Sequence, residues 1–304
     1  MKRKLPAQAP RKCPNTACSS HNSSSSFGTI VRFGRFFRAE ESKWIPRFKC
    51  NVCQKTFSTA TSSACFRQKR RTLNSFVFKL LASSVSQRRT ARILKTDLKT
   101  VERKLLFLAE QARVSRLQFL QEITNSGTLI SEIHFDEMET FEKSKCLPLS
   151  IPLVVAVKSR KILGFRVAEM PAKGPLAAIS MKKYGPRNDH RAQAASELFS
   201  EIRNSISQLA VIHTDQNPKY SNWLKPHFKN ATHVTSKGRR GCVVDQGELK
   251  AGGFDPLFDL NHTCAMIRAN VNRLVRRTWA TTKKPERLLA HLEIYSQYHN
   301  LVLT

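Results

Sequence analysis

Four cysteines near the N-terminus have the spacing of a metal site. Cys13 and Cys18 are separated by four residues, and Cys50 and Cys53 by two. A short turn lets both thiolates of such a pair face one ion, and zinc prefers four soft or borderline ligands in a tetrahedron. We therefore expect these four cysteines to bind one structural zinc ion. His21 is an alternative ligand for one position.

Two aspartates lie where predicted strands end. Asp136 closes the alternating segment 129–136, and Asp215 follows the predicted strand 209–213. If these strands are neighbours in a mixed sheet, both carboxylates meet at one edge. Carboxylates suit Mg²⁺, and two ions about 4 Å apart stabilise the attacking and leaving oxygens of a phosphodiester. We thus expect Asp136 and Asp215 to hold two Mg²⁺ or Mn²⁺ ions.

A third metal ligand has three candidates. Asp259 and Asn261 lie near the start of a long helix predicted from Asp255, and Glu248 lies in a Gly-rich loop. Asn261 offers a neutral amide oxygen, but Arg268 lies seven residues later on the same helix face. There its guanidinium is expected to contact DNA phosphate near the metal ions. The residue types alone do not rank the three candidates.

The predicted order of strands and helices would bring the two aspartates together. Segments that alternate polar and apolar residues, or are continuously apolar, predict strands, and a 3.6-residue apolar repeat predicts helices. The resulting order, β-β-β-α-β-α-β-α, matches a ribonuclease-H-like α/β domain over residues 127–304. The strands are predicted at 129–136, 151–157, 162–167, 209–213 and 231–235, and the helices at 190–207, from 255, and at 285–299.

Three helices are predicted between the cysteines and this domain, over residues 67–126. A serine at 83–86 can cap the second helix, and a short turn at 95–98 precedes a basic third helix that continues as a connector. Such a pattern is typical of a helix-turn-helix, whose last helix enters the major groove. The alternative is a basic helical bundle without groove contact. The candidate DNA contacts on the third helix are Lys99, Thr100, Arg103 and Lys104.

The charge balance favours a polyanionic partner. The 304 residues include 52 Lys and Arg against 22 Asp and Glu, a formal net charge of +30. Basic side chains release condensed counterions from nucleic acid, so double-stranded DNA is the expected partner. Residues 1–128 carry 26 basic and 6 acidic residues, so binding is expected to be concentrated in that part of the chain.

Membrane and secreted proteins are disfavoured. No apolar stretch approaches the roughly 20 residues of a membrane helix. The basic residues 1–12 are not followed by the apolar core of a secretory signal. A cytoplasmic protein is therefore expected, whose eight cysteines serve as metal ligands or buried thiols rather than disulfides.

Several of these motifs resemble bacterial insertion-sequence transposases of the DDE type, and the insertion-sequence-one group in particular. Residues 47–57 resemble their zinc finger with its Arg-rich strand, and residues 88–103 resemble their helix-turn-helix. Asp136-Glu137-Met138 and Thr214-Asp215 are similar to the motifs of their first two catalytic acids. The basic run 268–277 resembles their C-terminal helix.

The resemblance implies a multidomain DNA transposase associated with the bacterial nucleoid. A zinc ribbon (residues 1–66) and a helix-turn-helix with its connector helix (67–126) would bind the terminal inverted repeats of the element. The ribonuclease-H-like domain (127–304) would use two divalent metal ions to cut DNA and to join the freed 3′-hydroxyl to target DNA. Because two element ends must meet, a homo-oligomer on DNA is implied.

Two features depart from the family pattern. The catalytic Glu of the family aligns with Asn261 when Arg268 is kept in register, and the first cysteine pair has four rather than two intervening residues. A competing interpretation is therefore a catalytically inactive, sequence-specific DNA-binding protein, either a regulator or a decayed transposase. A structure-specific nuclease for RNA or branched DNA is a third interpretation, which leaves the helix-turn-helix without a role.

Overall fold

The computed structural model describes residues 12–22, 29–237, 255–275 and 279–303. The chain divides into two compact units, one ending at Phe76 and one beginning at Val77. The helices that follow Val77 therefore group with the sheet that comes after them. The finer division at residues 66 and 126 stays a prediction.

The first unit is built on a small antiparallel sheet of three strands. They are β1 (Ile30–Arg38), β2 (Lys43–Cys50) and β3 (Thr56–Ser58), in that order across the sheet, and a short helix α1 (Ser19–Asn22) precedes them. Few apolar side chains of this unit are buried: Ile30, Phe48 and Phe57 pack against the cysteines. A core of this size is expected to need a bound metal for stability.

Three helices open the second unit, at the predicted positions. They are α2 (Asn74–Ala82), which begins just before the unit boundary, α3 (Gln87–Ile93) and α4 (Leu98–Ser126). Ser86 caps α3, since its hydroxyl accepts a hydrogen bond from the Arg89 amide over 3.3 Å. Gly127 ends α4 with a φ of +72°, a left-handed conformation that glycine adopts without strain.

A mixed sheet forms the centre of the second unit. Its strands are β4 (Ile130–Phe141), β5 (Pro148–Ala156), β6 (Ile162–Phe165), β7 (Ala168–Glu169), β8 (Ile206–Asp215) and β9 (Thr232–Ser236). Their order is β6-β5-β4-β8-β9, with β7 paired to β5. Strand β5 is antiparallel to β4 and β6, whereas β8 is parallel to β4 and β9. The expected adjacency of the first and fourth predicted strands is thus confirmed.

Helices cover both faces of this sheet. On one face Phe135 of β4 packs against Phe199 and Tyr220, whereas on the other Met138 of β4 packs with Leu260 and Tyr295. Successive residues of β4 therefore contribute to two separate cores, as the alternation of a strand requires. The helices are α5 (Leu176–Tyr184), α6 (Arg191–Ile202), α7 (Pro218–Leu224), α8 (Phe258–Asn270) and α9 (Pro285–Tyr298).

Several element boundaries differ from the prediction. Strand β4 continues five residues beyond Asp136, so this aspartate lies inside a strand and not at its end. Helix α8 begins at Phe258 rather than at Asp255, because the Asp255 carboxylate accepts from the Leu257 amide and closes a turn before the helix. Ile206, predicted as helical, is the first residue of β8.

A buried arginine joins three helices of the second unit. Arg116 of α4 is 5% exposed, and its guanidinium lies 2.9 Å from the carboxylate of Glu293 in α9. The same guanidinium also pairs with Glu201 of α6. Because a charge this deeply buried is stable only when it is paired, the network fixes the long helix α4 against the domain.

Candidate metal centres and nucleic-acid interface

The four predicted zinc ligands converge in the first unit. The Sγ atoms of Cys13, Cys18, Cys50 and Cys53 all lie within 4.8 Å of one another. The distances are 3.6 Å between Cys13 and Cys53 and 3.9 Å between Cys18 and Cys50. A tetrahedron with zinc–sulfur bonds of about 2.3 Å requires sulfur–sulfur separations of about 3.8 Å. The cluster therefore has the composition and the spacing that a structural zinc ion needs.

Backbone hydrogen bonds and burial act in opposite directions on the thiols of this cluster. A hydrogen bond from the Lys55 amide lowers the pKa of Cys53 to about 6, whereas burial raises the pKa of Cys13 to about 12. His21 does not join the ligand set, because its Nδ1 lies 2.6 Å from the carbonyl oxygen of Cys13. It stabilises the first cysteine pair from outside, as groups around metal ligands commonly do.

Asp136 and Asp215 lie on adjacent parallel strands at matching heights. His134 of β4 is directly paired with His213 of β8, and each aspartate lies two residues further along its strand. The two histidine rings are 5.2 Å apart, so both side chains are on one face of the sheet. Residues two apart on a strand share a face, and both aspartates therefore point to that same side. The register thus puts the two aspartates at the same height on neighbouring strands, and their joint binding of metal ions stays a prediction.

Asp136 is a partly buried carboxylate in an acidic setting. Burial raises its pKa to about 6, and the charges of Asp215 and Glu137 act in the same direction. The Tyr220 hydroxyl donates a hydrogen bond to Asp136 Oδ1 over 2.8 Å and partly offsets this effect. A bound cation would relieve the repulsion between these acids, so the donor set suits a divalent metal ion.

Glu137 belongs to this site, which the sequence analysis did not predict. Its side chain is 6% exposed, and its carboxylate accepts from the Ser150 hydroxyl and lies 3.8 Å from the Arg191 guanidinium. Tyr220 also approaches it, with 3.4 Å between the hydroxyl and Glu137 Oε2. Burial raises the pKa of Glu137. By contrast, Glu139 is 55% exposed and pairs with Lys173.

The two described candidates for the third ligand are engaged elsewhere. Asp259 Oδ2 accepts from the Lys158 amide over 2.7 Å, in the turn after β5. Strand β5 ends at Ala156, the partner of Ile133, so this turn lies more than three strand positions from Asp136. The Asn261 amide donates to Asp255 over 2.9 Å. Glu248 lies outside the described residues.

Helix α8 packs on the face of β4 that carries Met138, through Leu260, Cys264 and Ile267. Burial raises the pKa of Cys264 to about 12, and the charge of Asp136 adds to this effect while that of Arg268 opposes it. The thiol therefore experiences both charges, and Arg268 lies one helical turn beyond Cys264 on the same helix face. Arg268 thus shares with Asp136 the side of the sheet on which a phosphate contact was expected.

The candidate DNA contacts of α4 do not share one environment. Lys99 and Arg103 are exposed and Thr100 is partly exposed, as a surface contact requires. Lys104 is 3% exposed, so its inclusion among the DNA contacts was wrong for this conformation. Its position explains the burial, because Lys104 shares the inner face of α4 with Val101 and Leu105.

No helix within the described residues is long and apolar enough to cross a membrane. The sequence matches no protein-family model and has no significant match among curated proteins.

Proposed function

We propose that this chain is a DNA transposase, which binds the ends of a mobile element and cuts and joins DNA at the Asp136–Asp215 site. The observation that carries the proposal is the register of β4 and β8, which places two carboxylates on one face of a mixed sheet. The strand order β6-β5-β4-β8-β9 supports the ribonuclease-H-like assignment, because it places the first and fourth strands side by side and parallel.

Asp136 and Asp215 would hold two Mg²⁺ or Mn²⁺ ions. Such ions lower the pKa of water and stabilise the oxygens that exchange at a phosphodiester. The chain's own residues would prepare the site: Tyr220 donates a hydrogen bond to Asp136, and Arg268 of α8 would contact a DNA phosphate. Glu137 joins Asp259, Asn261 and Glu248 as a candidate third ligand.

The exposed basic residues of α3 and α4 would hold the duplex. The assignment as a helix-turn-helix is supported by the short connection between α3, capped by Ser86, and α4, whose first turns expose Lys99 and Arg103. The Cys cluster would stabilise the first unit as a zinc ribbon. Because two ends must meet, the active species is a homo-oligomer on DNA.

Strand transfer distinguishes a transposase from a nuclease or a DNA-binding regulator. The full chain with Mg²⁺ or Mn²⁺ is incubated with a labelled duplex taken from the DNA that flanks its coding sequence, together with a target plasmid. A covalent product that joins label and plasmid is expected, and Asp215→Ala should abolish it without weakening binding. Cleavage without joining would favour the nuclease, and binding without cleavage the regulator.

The same assay identifies the third ligand. Asp259→Ala, Asn261→Ala, Glu248→Ala and Glu137→Gln are compared with the unmodified chain. Cleavage requires every metal ligand, so one variant should lose cleavage while the other variants should cleave at nearly the normal rate. Glu137 is added to the comparison because it follows Asp136 on β4 and the Tyr220 hydroxyl lies 2.8 Å from Asp136 Oδ1 and 3.4 Å from Glu137 Oε2.

A further inference from the structure

Large aromatic side chains are exposed on the hairpin formed by β1 and β2. Phe33, Phe37 and Trp44 are 47%, 51% and 53% exposed. Side chains of this size are usually mostly buried, and several exposed together mark an interaction surface. The small core of the first unit is built from other residues, so these rings are not needed to complete it.

Two of these rings, Trp44 and Phe33, have a cation over their face. Phe37 and Trp44 are direct cross-strand partners with ring centroids 5.4 Å apart, and the Arg35 guanidinium lies 4.5 Å from the Trp44 centroid. Further along the hairpin, Arg47 and Lys49 lie 5.8 and 5.7 Å from the ring of Phe33. We name the first group, Arg35, Phe37 and Trp44, the hairpin cluster.

A partner for the hairpin cluster must offer both flat π surfaces and negative charge. Single-stranded nucleic acid does so, because its unpaired bases stack on aromatic rings while its phosphates contact Arg and Lys. In a duplex the base faces are already stacked on one another, which leaves only the phosphates. An acidic protein would use the cations but not the two rings.

We propose that the hairpin cluster binds single-stranded DNA by stacking unpaired bases on Phe37 and Trp44, with Arg35 contacting phosphate. The Phe33 group offers a second position of the same kind. The choice of DNA over RNA rests on the proposed function, whereas the stacking does not. Binding is measured without a divalent metal, so it can fail or succeed independently of cleavage.

The test uses the full chain and fluorescence anisotropy with a labelled thymidine oligonucleotide of about 15 nucleotides, a length that spans one such site. Trp44→Ala should weaken binding roughly 5- to 100-fold, the usual cost of one lost base stack. Trp44→Phe should retain most of the affinity, because it keeps a flat ring. Phe76→Ala is the matched control, since Phe76 is 56% exposed outside the hairpin.

A second measurement follows the stack itself. With Trp223 and Trp279 replaced by Phe, the oligonucleotide should quench the fluorescence of Trp44. Zinc content and circular dichroism of each variant establish that the first unit is folded.

Three results would overturn the proposal. They are unchanged affinity for the oligonucleotide in both Trp44→Ala and Phe37→Ala, an equal loss of affinity for a duplex of the same length, and no quenching of the Trp44 fluorescence by the oligonucleotide. Tighter binding of the matching RNA oligonucleotide would overturn the assignment to DNA.

Discussion

The hydroxyl of Tyr220 lies 2.8 Å from Oδ1 of Asp136, a residue 84 positions earlier in the chain. The contact ties the first turns of α7 to the middle of β4. It holds one carboxylate oxygen of Asp136 in place, in a setting where burial already disfavours the charged form.

Asp136 makes the stability of the chain depend on pH. Its pKa rises from 3.8 to about 6 on folding, so the folded state binds more protons between pH 4 and 6. Stability therefore falls as the pH rises through this window, by about 3 kcal/mol at most. Asp136→Asn should be more stable than the unmodified chain at pH 7 without divalent metal, and nearly equal to it at pH 4. Urea denaturation at several pH values measures this, and a pH-independent difference would contradict it.

Zinc should be required for the fold of the first unit. Cys50→Ser removes one of four ligands, so zinc content should fall from about one ion per chain to near zero and the unit should unfold. Cys65→Ser is the control, because Cys65 lies in the same unit but outside the cluster. Metal analysis and near-ultraviolet circular dichroism report both effects. Unchanged zinc content in Cys50→Ser would refute the site.

Arg103 should contribute to DNA binding. Arg103→Ala removes an exposed cation from the first turns of α4, so the slope of log affinity against log salt should decrease by about 0.9. Arg113→Ala is the control on the same helix, where Arg113 already pairs with Glu110 over 2.8 Å. Equal effects of the two substitutions would argue against a specific role for the start of α4. A loss that is equal for specific and random duplex would assign Arg103 to phosphate alone.

Arg116 should be critical for stability rather than for chemistry. Arg116→Ala leaves the buried Glu293 without its partner, at a cost of about 3–5 kcal/mol, whereas Glu201 keeps Arg166 at 2.9 Å. Arg113→Ala breaks an exposed pair and should cost less than about 1 kcal/mol. The free energies of unfolding in urea compare the two. Similar losses of unfolding free energy in Arg116→Ala and Arg113→Ala would contradict a stabilising role for the buried network.

The sequence could predict what depends on local pattern. The cysteine spacing identified the four sulfur ligands, the apolar alternation identified β4 and β8, and their adjacency then brought Asp136 and Asp215 together. Glu137 was missed because its burial depends on contacts with Ser150 of β5 and Arg191 of α6, and Tyr220 was missed because its role depends on α7, which was not predicted. Asn217 followed by Pro218 was the available signal, since Asn217 caps this helix and Pro218 occupies its first turn.

The remaining differences concern which face or which end of a helix meets the rest of the molecule. Lys104 was selected for its charge, although it is three residues after Val101 and therefore on the buried side of α4. Asp259 and Asn261 stay candidate ligands, because their distance from the metal ions depends on the direction of α8. Its direction relative to β4 is set by tertiary packing, which periodicity does not encode.

The rate of divalent-metal-dependent strand cleavage tests the central claim most directly. A labelled duplex from the DNA flanking the coding sequence is cut under single-turnover conditions by the unmodified chain, by Asp215→Asn and by Glu139→Gln. Glu139 is the matched acid, on the same strand as Asp136 but 55% exposed. We expect cleavage that needs Mg²⁺ or Mn²⁺, is lost in Asp215→Asn with DNA binding unchanged, and is near normal in Glu139→Gln. Cleavage by Asp215→Asn at the unmodified rate, or no cleavage by the unmodified chain with any divalent metal while it still binds the duplex, would contradict the account.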